Sequence, residues 1–162
     1  MRITTATAAL ALALSGAAAA ADNIPYNQAA KAGVDRCLPA VSKVTEFLIA
    51  DGNAGAHSIW NSEHPGTSAF STAIERNYSD GATLANLVVA PTADGKCYAE
   101  YVRIYNSDKS CIATVGDFEG AKIKGEINRE IALVEHGAVT MYLLPNGTNN
   151  CTVVRKEVLM DM

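Results

Sequence analysis

Residues 69–105 read AFSTAIERNYSDGATLANLVVAPTADGKCYAEYVRIY, and this stretch decides the fold. It divides into three strand-like runs, Ala69 to Tyr78, Thr83 to Ala90 and Lys96 to Tyr105. Asp80-Gly81 and Asp94-Gly95 stand between them, and an Asp-Gly pair between two such runs is a hairpin signal. Pro91 closes the second run. Leu87, Val88 and Val89 are consecutive, so that strand is expected to be central or covered on both faces.

Such a meander needs a layer to cover it, and the preceding segment offers one. In Asn27 to Ala50, Val34, Cys37, Leu38, Val41, Val44 and Leu48 recur at three- and four-residue steps, giving one apolar helical stripe. Pro39 predicts a kink, or a split into two pieces near Cys37. Asp51-Gly52 supplies a stop.

Downstream, Asn106 to Ser110 is a polar loop. Cys111, Ile112, Val115 and Phe118 fit one face of a short second helix, with Ser107 or Asp108 as its cap. Ile123, Ile127, Ile131 and Val134 also fit a helix. Yet Glu130 to Leu144 reads as a hairpin turning at His136-Gly137. The hairpin is preferred, because Ala138 to Tyr142 is strand-like and Gly137 suits the turn. A last strand runs from Cys151 to Leu159. The expected fold is α+β: an N-terminal helix and a short second helix on one face of a mostly antiparallel sheet of about six strands. No regular repeat is evident. Residues 22–162 read as a single domain, with Asp51 to Ser68 its longest irregular part.

The first residues place the chain. Arg2 precedes a short apolar run, Ile3 to Leu14, and an alanine tract leads to Ala19-Ala20-Ala21. This is the build of a cleaved secretory signal over residues 1–21, giving a periplasmic or extracellular address and no membrane attachment after cleavage near Ala21. Export changes the meaning of the four cysteines, Cys37, Cys97, Cys111 and Cys151. An even number outside the reducing cytosol reads as two disulfides. None of them form the close pairs of a zinc or redox site. About eight strand residues, roughly 27 Å at about 3.3 Å per residue, separate the start of the third run from its end. This disfavours Cys97–Cys111. Cys37 and Cys111 are both expected on helices, and Cys97 and Cys151 both begin strands, so the expected pairs are Cys37–Cys111 and Cys97–Cys151.

Without Arg2 the 13 Lys+Arg fall to 12 against 17 Asp+Glu, a net charge of −5. The basic residues are scattered. Nucleic acid and anionic membrane are therefore not expected partners.

The densest polar segment is residues 57–68, with His57, His64, Trp60 and four hydroxyl side chains. A serine nucleophile with a histidine base is the sharp reading. It lacks the G-x-S-x-G elbow, and the histidines do not have the spacing of a zinc-protease helix. A surface connection is the plainer reading. Trp60 would plug the loop onto the core or, if exposed, anchor a partner. His136 lies at a turn. Asp117 and Glu119 could serve as paired carboxylates, but without a second acidic pair a solvated turn is the plainer reading, and residues 92–96 lack the ligand pattern of a calcium or phosphate loop. No metal or cofactor is expected.

Two stretches, Val88-Val89-Ala90-Pro91 through Gly95-Lys96-Cys97 and Tyr142-Leu143-Leu144-Pro145 through Cys151 to Val158, resemble segments of small exported bacterial proteins of unassigned function. The resemblance implies a periplasmic or secreted setting and no activity. Three functions stay open. The first is a non-enzymatic protein-binding domain, such as an inhibitor, immunity or accessory protein, with Trp60, Tyr98, Tyr101, Tyr105 and Tyr142 as its exposed patch. The second is a small hydrolase using His57 and His64. The third is a carrier of a small apolar ligand between helix layer and sheet. Mass spectrometry of the exported protein is expected to find Asp22 at its N-terminus; Met1 there would overturn the signal reading.

Overall fold

The computed structural model describes residues 23–50, 54–79 and 81–162. The expected leader over 1–21, the stop at Asp51-Gly52 and Asp80 of the first hairpin lie outside the described residues. The expected N-terminal helix is two helices, α1 (Ile24–Ala32) and α2 (Leu38–Ile49). Asn23 caps α1 by accepting from the Tyr26 N–H. Gly33 then takes a φ of 85°, which glycine adopts at little cost, and the Val34 N–H turns back to the Ala29 carbonyl. Pro39 sits in the first turn of α2, where no donor is missed, so it opens the helix instead of bending it.

Eight strands follow: β1 (Ala54–Trp60), β2 (Phe70–Tyr78), β3 (Gly81–Pro91) and β4 (Cys97–Ser107), then helix α3 (Cys111–Val115), then β5 (Lys122–Ile127), β6 (Ile131–His136), β7 (Val139–Pro145) and β8 (Cys151–Leu159). They form one antiparallel sheet in the order β1-β2-β3-β4-β8-β7-β6-β5. The α+β architecture with two disulfides is therefore present, with more sheet than the sequence suggests. Both extra strands are edges. On the helix side β1 presents the small Ala54, Ala56 and Ser58 before Trp60 at its end, so the helix can approach closely and little apolar alternation is written there. Every residue of β5 is exposed, and a bulge between Ile123 and Gly125 breaks its period.

The order of the strands is that of a repeated unit. Each half is a helical segment followed by a four-strand meander, and the halves meet at β4 and β8. The disulfides obey the same repeat. Cys37, just before α2, joins Cys97, the first residue of β4; Cys111, the first residue of α3, joins Cys151, the first residue of β8. The expected pairs Cys37–Cys111 and Cys97–Cys151 are thus corrected, as is the expectation of no repeat. Cys97 and Cys151 do both begin strands, but those strands are antiparallel neighbours. Cys151 lies opposite Ser107, at the far end of β4 from Cys97. Ten residues of strand put the two roughly 33 Å apart at about 3.3 Å per residue.

All three helices lie on one face of the sheet. Val41, Val44 and Leu48 of α2 pack with Phe70, Ile74, Leu87, Val89 and Ala99. Cys111, Val115 and Phe118 pack with Val134, Met141, Leu143 and Val153. Leu159 of β8 joins the first cluster and Tyr105 of β4 the second. Direct partners such as Tyr105 and Val153 share a face, so both clusters are on the same side. Leu87 and Val89 are buried there, while Val88 points to the other side and is half-buried. Their consecutive run marks an interior strand with one open face.

Each bridge closes a loop within its own half, with sequence separations of 60 and 40. Replacing either cysteine pair by alanine is expected to cost up to about 4 kcal/mol. Denaturant melts of Cys37→Ala/Cys97→Ala and of Cys111→Ala/Cys151→Ala measure this, and a non-reducing peptide map that joins Cys37 to Cys111 would overturn the pairing.

Candidate functional site

The residues between the buried ones along each strand form the second face, which no described helix covers. Across it the register sets up one continuous apolar row. Leu84 pairs with Ile104, Ile104 with Val154, Val154 with Tyr142, and Tyr142 with Leu133. Four strand steps of about 4.8 Å make this row roughly 19 Å long. Leu84 is 46% and Ile104 36% exposed. Val154, Tyr142 and Leu133 are half-buried. Side chains in such rows cover one another in part, so half-burial is what an unoccupied sheet face gives.

Polar groups on this face largely satisfy one another. The Tyr98 hydroxyl donates to Glu100 at 2.6 Å, and Lys156 reaches the same carboxylate at 2.9 Å. The Tyr98 bond, with Lys156 second, holds the Glu100 carboxyl below its ordinary range. The Glu100 bond raises both the Tyr98 phenol and the Lys156 ammonium. Glu135 is paired with Lys124. The face is close to neutral, although the chain as a whole carries −4.

The sequence-derived site residues are divided by strand parity. Tyr98 and Tyr142 belong to the open face. Tyr101 and Tyr105 belong to the helix face, since odd positions of β4 point there. Tyr101 is buried, donates to Glu157, and has its phenol pushed up by burial. Tyr105 packs with the α3 cluster. The expected four-tyrosine patch does not form. Trp60 stacks on Phe70 with ring centroids 6.4 Å apart and stays 38% exposed, so it is a plug with one face in solvent.

His57 and His64 do not make a catalytic pair. His57 stands on the open side of β1, while the adjacent Ser58 faces α1, where its hydroxyl links Gln28 and Thr72. Neighbouring strand residues point to opposite faces, so His57 cannot serve Ser58. His64 belongs to the turn after β1, where its backbone N–H donates to Asn61. Among the described residues, neither imidazole bonds to a hydroxyl or a carboxylate, and no group of three His, Cys, Asp or Glu side chains is placed to hold a metal ion. His136 packs its ring near Phe118. Sequence reasoning missed the apolar row itself. Its signal is there, in Leu84, Ile104 and Val154, apolar residues at the solvent-facing positions of amphipathic strands.

No family model matches the chain, and no curated protein or solved structure matches it either.

The Glu100 group gives a titration test. A folded value below the ordinary one means that this stabilisation is present above the ordinary carboxylate range and is lost as the pH falls through the folded value. For Lys156 the sign is opposite: the contribution is complete below the ordinary lysine value and fades as the pH rises through the folded one. Carbon-detected carboxyl titration is expected to place Glu100 below a free glutamate, and Tyr98→Phe to move it upward. An unchanged value in the variant would refute the bond.

Proposed function

We propose that this chain is an exported, non-enzymatic protein-binding domain, and that the uncovered sheet face is its docking surface. The partner is a different folded protein that presents an apolar ridge within a weakly charged surround. The observation that carries this reading is the row Leu84, Ile104, Val154, Tyr142 and Leu133, continuous across five strands on the face that no described helix covers. Contiguous apolar surface of this kind is costly to leave in water and marks interaction sites. The paired charges beside it, Glu100–Lys156 and Glu135–Lys124, leave little field to attract a charged ligand. Complementarity therefore favours an apolar partner surface, with an affinity only weakly dependent on salt. A second copy is disfavoured, because two exported chains of net charge −5 repel.

Export is supported by the two disulfides, which suit an oxidising compartment; no described helix is long and apolar enough to cross a membrane. The hydrolase reading loses its support with the separation of His57 from Ser58. The carrier reading has little to stand on. Packed side chains occupy the layer between helices and sheet, and a groove of about 500 Å3 near Phe47, Leu159 and Met162 opens beside Met160, which is 66% exposed.

The test compares wild type with Ile104→Asp and Val154→Asp, neither of which touches the core clusters. A protein captured by wild type, purified and titrated back by calorimetry is expected to bind saturably, with affinity at least tenfold weaker for either variant and little changed between low and physiological salt. Equal affinity in all three proteins would remove the sheet face as the site. Sedimentation showing a wild-type dimer that Ile104→Asp dissolves would replace the foreign partner by a second copy.

A further inference from the structure

On the helix side, the two core clusters leave a valley between them, floored by β4 and β8. Its floor carries two cross-strand pairs, Tyr101 with Glu157 and, one step along, Arg103 with Arg155. Two like charges directly opposite each other in a sheet repel. Among the described residues, no carboxylate relieves this pair. The ion pairs among the described residues all use lysines, and no described carboxylate lies within 4 Å of either guanidinium. Glu157 is held by the Tyr101 hydroxyl, and Asp117 by Lys109 at 2.7 Å. Each guanidinium instead lies near an aromatic ring: Arg155 is 5.5 Å from the Phe118 centroid and Arg103 is 6.0 Å from that of Phe47. The Arg155 Nε is buried and no atom of the described residues accepts from it.

The same two arginines line a pocket of about 410 Å3 at this end of the valley, with Tyr78, Thr83, Tyr105 and Asn106 completing its wall. This volume suits a small ligand. Two guanidiniums supply charged donor forks, and the hydroxyls of Tyr78, Thr83 and Tyr105 around them supply further donors. In a chain of net charge −4, this is a local inversion of sign.

We propose that this pocket binds a small oxyanion, a carboxylate or phosphate group held between Arg103 and Arg155. The bound anion offsets the repulsion of the pair and accepts from the guanidinium N–H groups that line the pocket. The Thr83 and Tyr105 hydroxyls add hydrogen bonds at its rim. The site lies on the opposite face from the apolar row and stands or falls independently of it.

The test is an NMR titration of the full mature chain with inorganic phosphate and, separately, with succinate, each against sodium chloride at matched ionic strength. Saturable shifts are expected at the Arg103 and Arg155 Nε–H and at the Thr83 and Tyr105 amides with at least one of the two anions; the one that saturates names the oxyanion. Arg103→Gln and Arg155→Gln are each expected to weaken binding at least tenfold, whereas Ile123→Ala, on the exposed edge strand β5, leaves it unchanged. Shifts no larger than those from chloride would overturn the proposal, as would undiminished binding in both glutamine variants. The wild-type chloride comparison decides the matter even where a variant fails to fold.

Discussion

The antiparallel pairing of β4 with β8 is the constraint on which the rest of the molecule depends. Nine residue pairs, from Ala99 with Leu159 to Ser107 with Cys151, join two halves that each have their own helix, meander and disulfide. Direct partners share a face, so this one ladder decides which side every residue of the second half occupies relative to the first. A slip of one residue would turn Met141, Leu143 and Val153 away from the side on which α1 and α2 lie. Polar groups hold the register from both sides. Tyr101 grips Glu157 beneath the helices, and Glu100 grips Lys156 on the open face. Beyond the ladder, backbone bonds between Cys97 and Met162 extend the pairing.

Two surfaces follow from that register. On the open side, apolar residues of β3, β4, β8, β7 and β6 fall into line. On the helix side, the two covering layers belong to different halves and leave a valley over the ladder that joins them. The valley brings Arg103 and Arg155 together from distant parts of the chain. Neither surface belongs to one half alone, so a half-molecule would carry neither.

Much of the sheet was legible in the sequence. Six of the strands, the hairpin turning at His136-Gly137 and the short helix at Cys111 stand close to where residue patterning puts them. The Glu130–Leu144 stretch resolved to strands because Ala138 to Tyr142 alternates, although Ile123 to Val134 also fits helical spacing. Missing were the edge strands, for opposite reasons: β1 is too small-sided under α1, and β5 is too exposed, to write an apolar period. The disulfide pairing was illegible because it depends on which helix start packs beside which strand start within each half, a long-range fact. Parity, by contrast, was available. Tyr98 and Tyr101 are an odd number of residues apart in one strand and so cannot share a face, which divides the expected tyrosine patch without any structure. The opposed arginines leave no local trace, since nothing near Arg103 announces Arg155.

The most direct measurement of the central claim is a carbon-edited NOESY of the oxidised protein, read at the Ile104 side chain. The register requires contacts from the Ile104 methyl groups to Leu84 and to Val154, and from Val154 to the Tyr142 ring. Contacts from Ile104 to Val41 or Leu48 of α2, or to Val153 in place of Val154, would contradict the pairing of β4 with β8 and with it both surfaces.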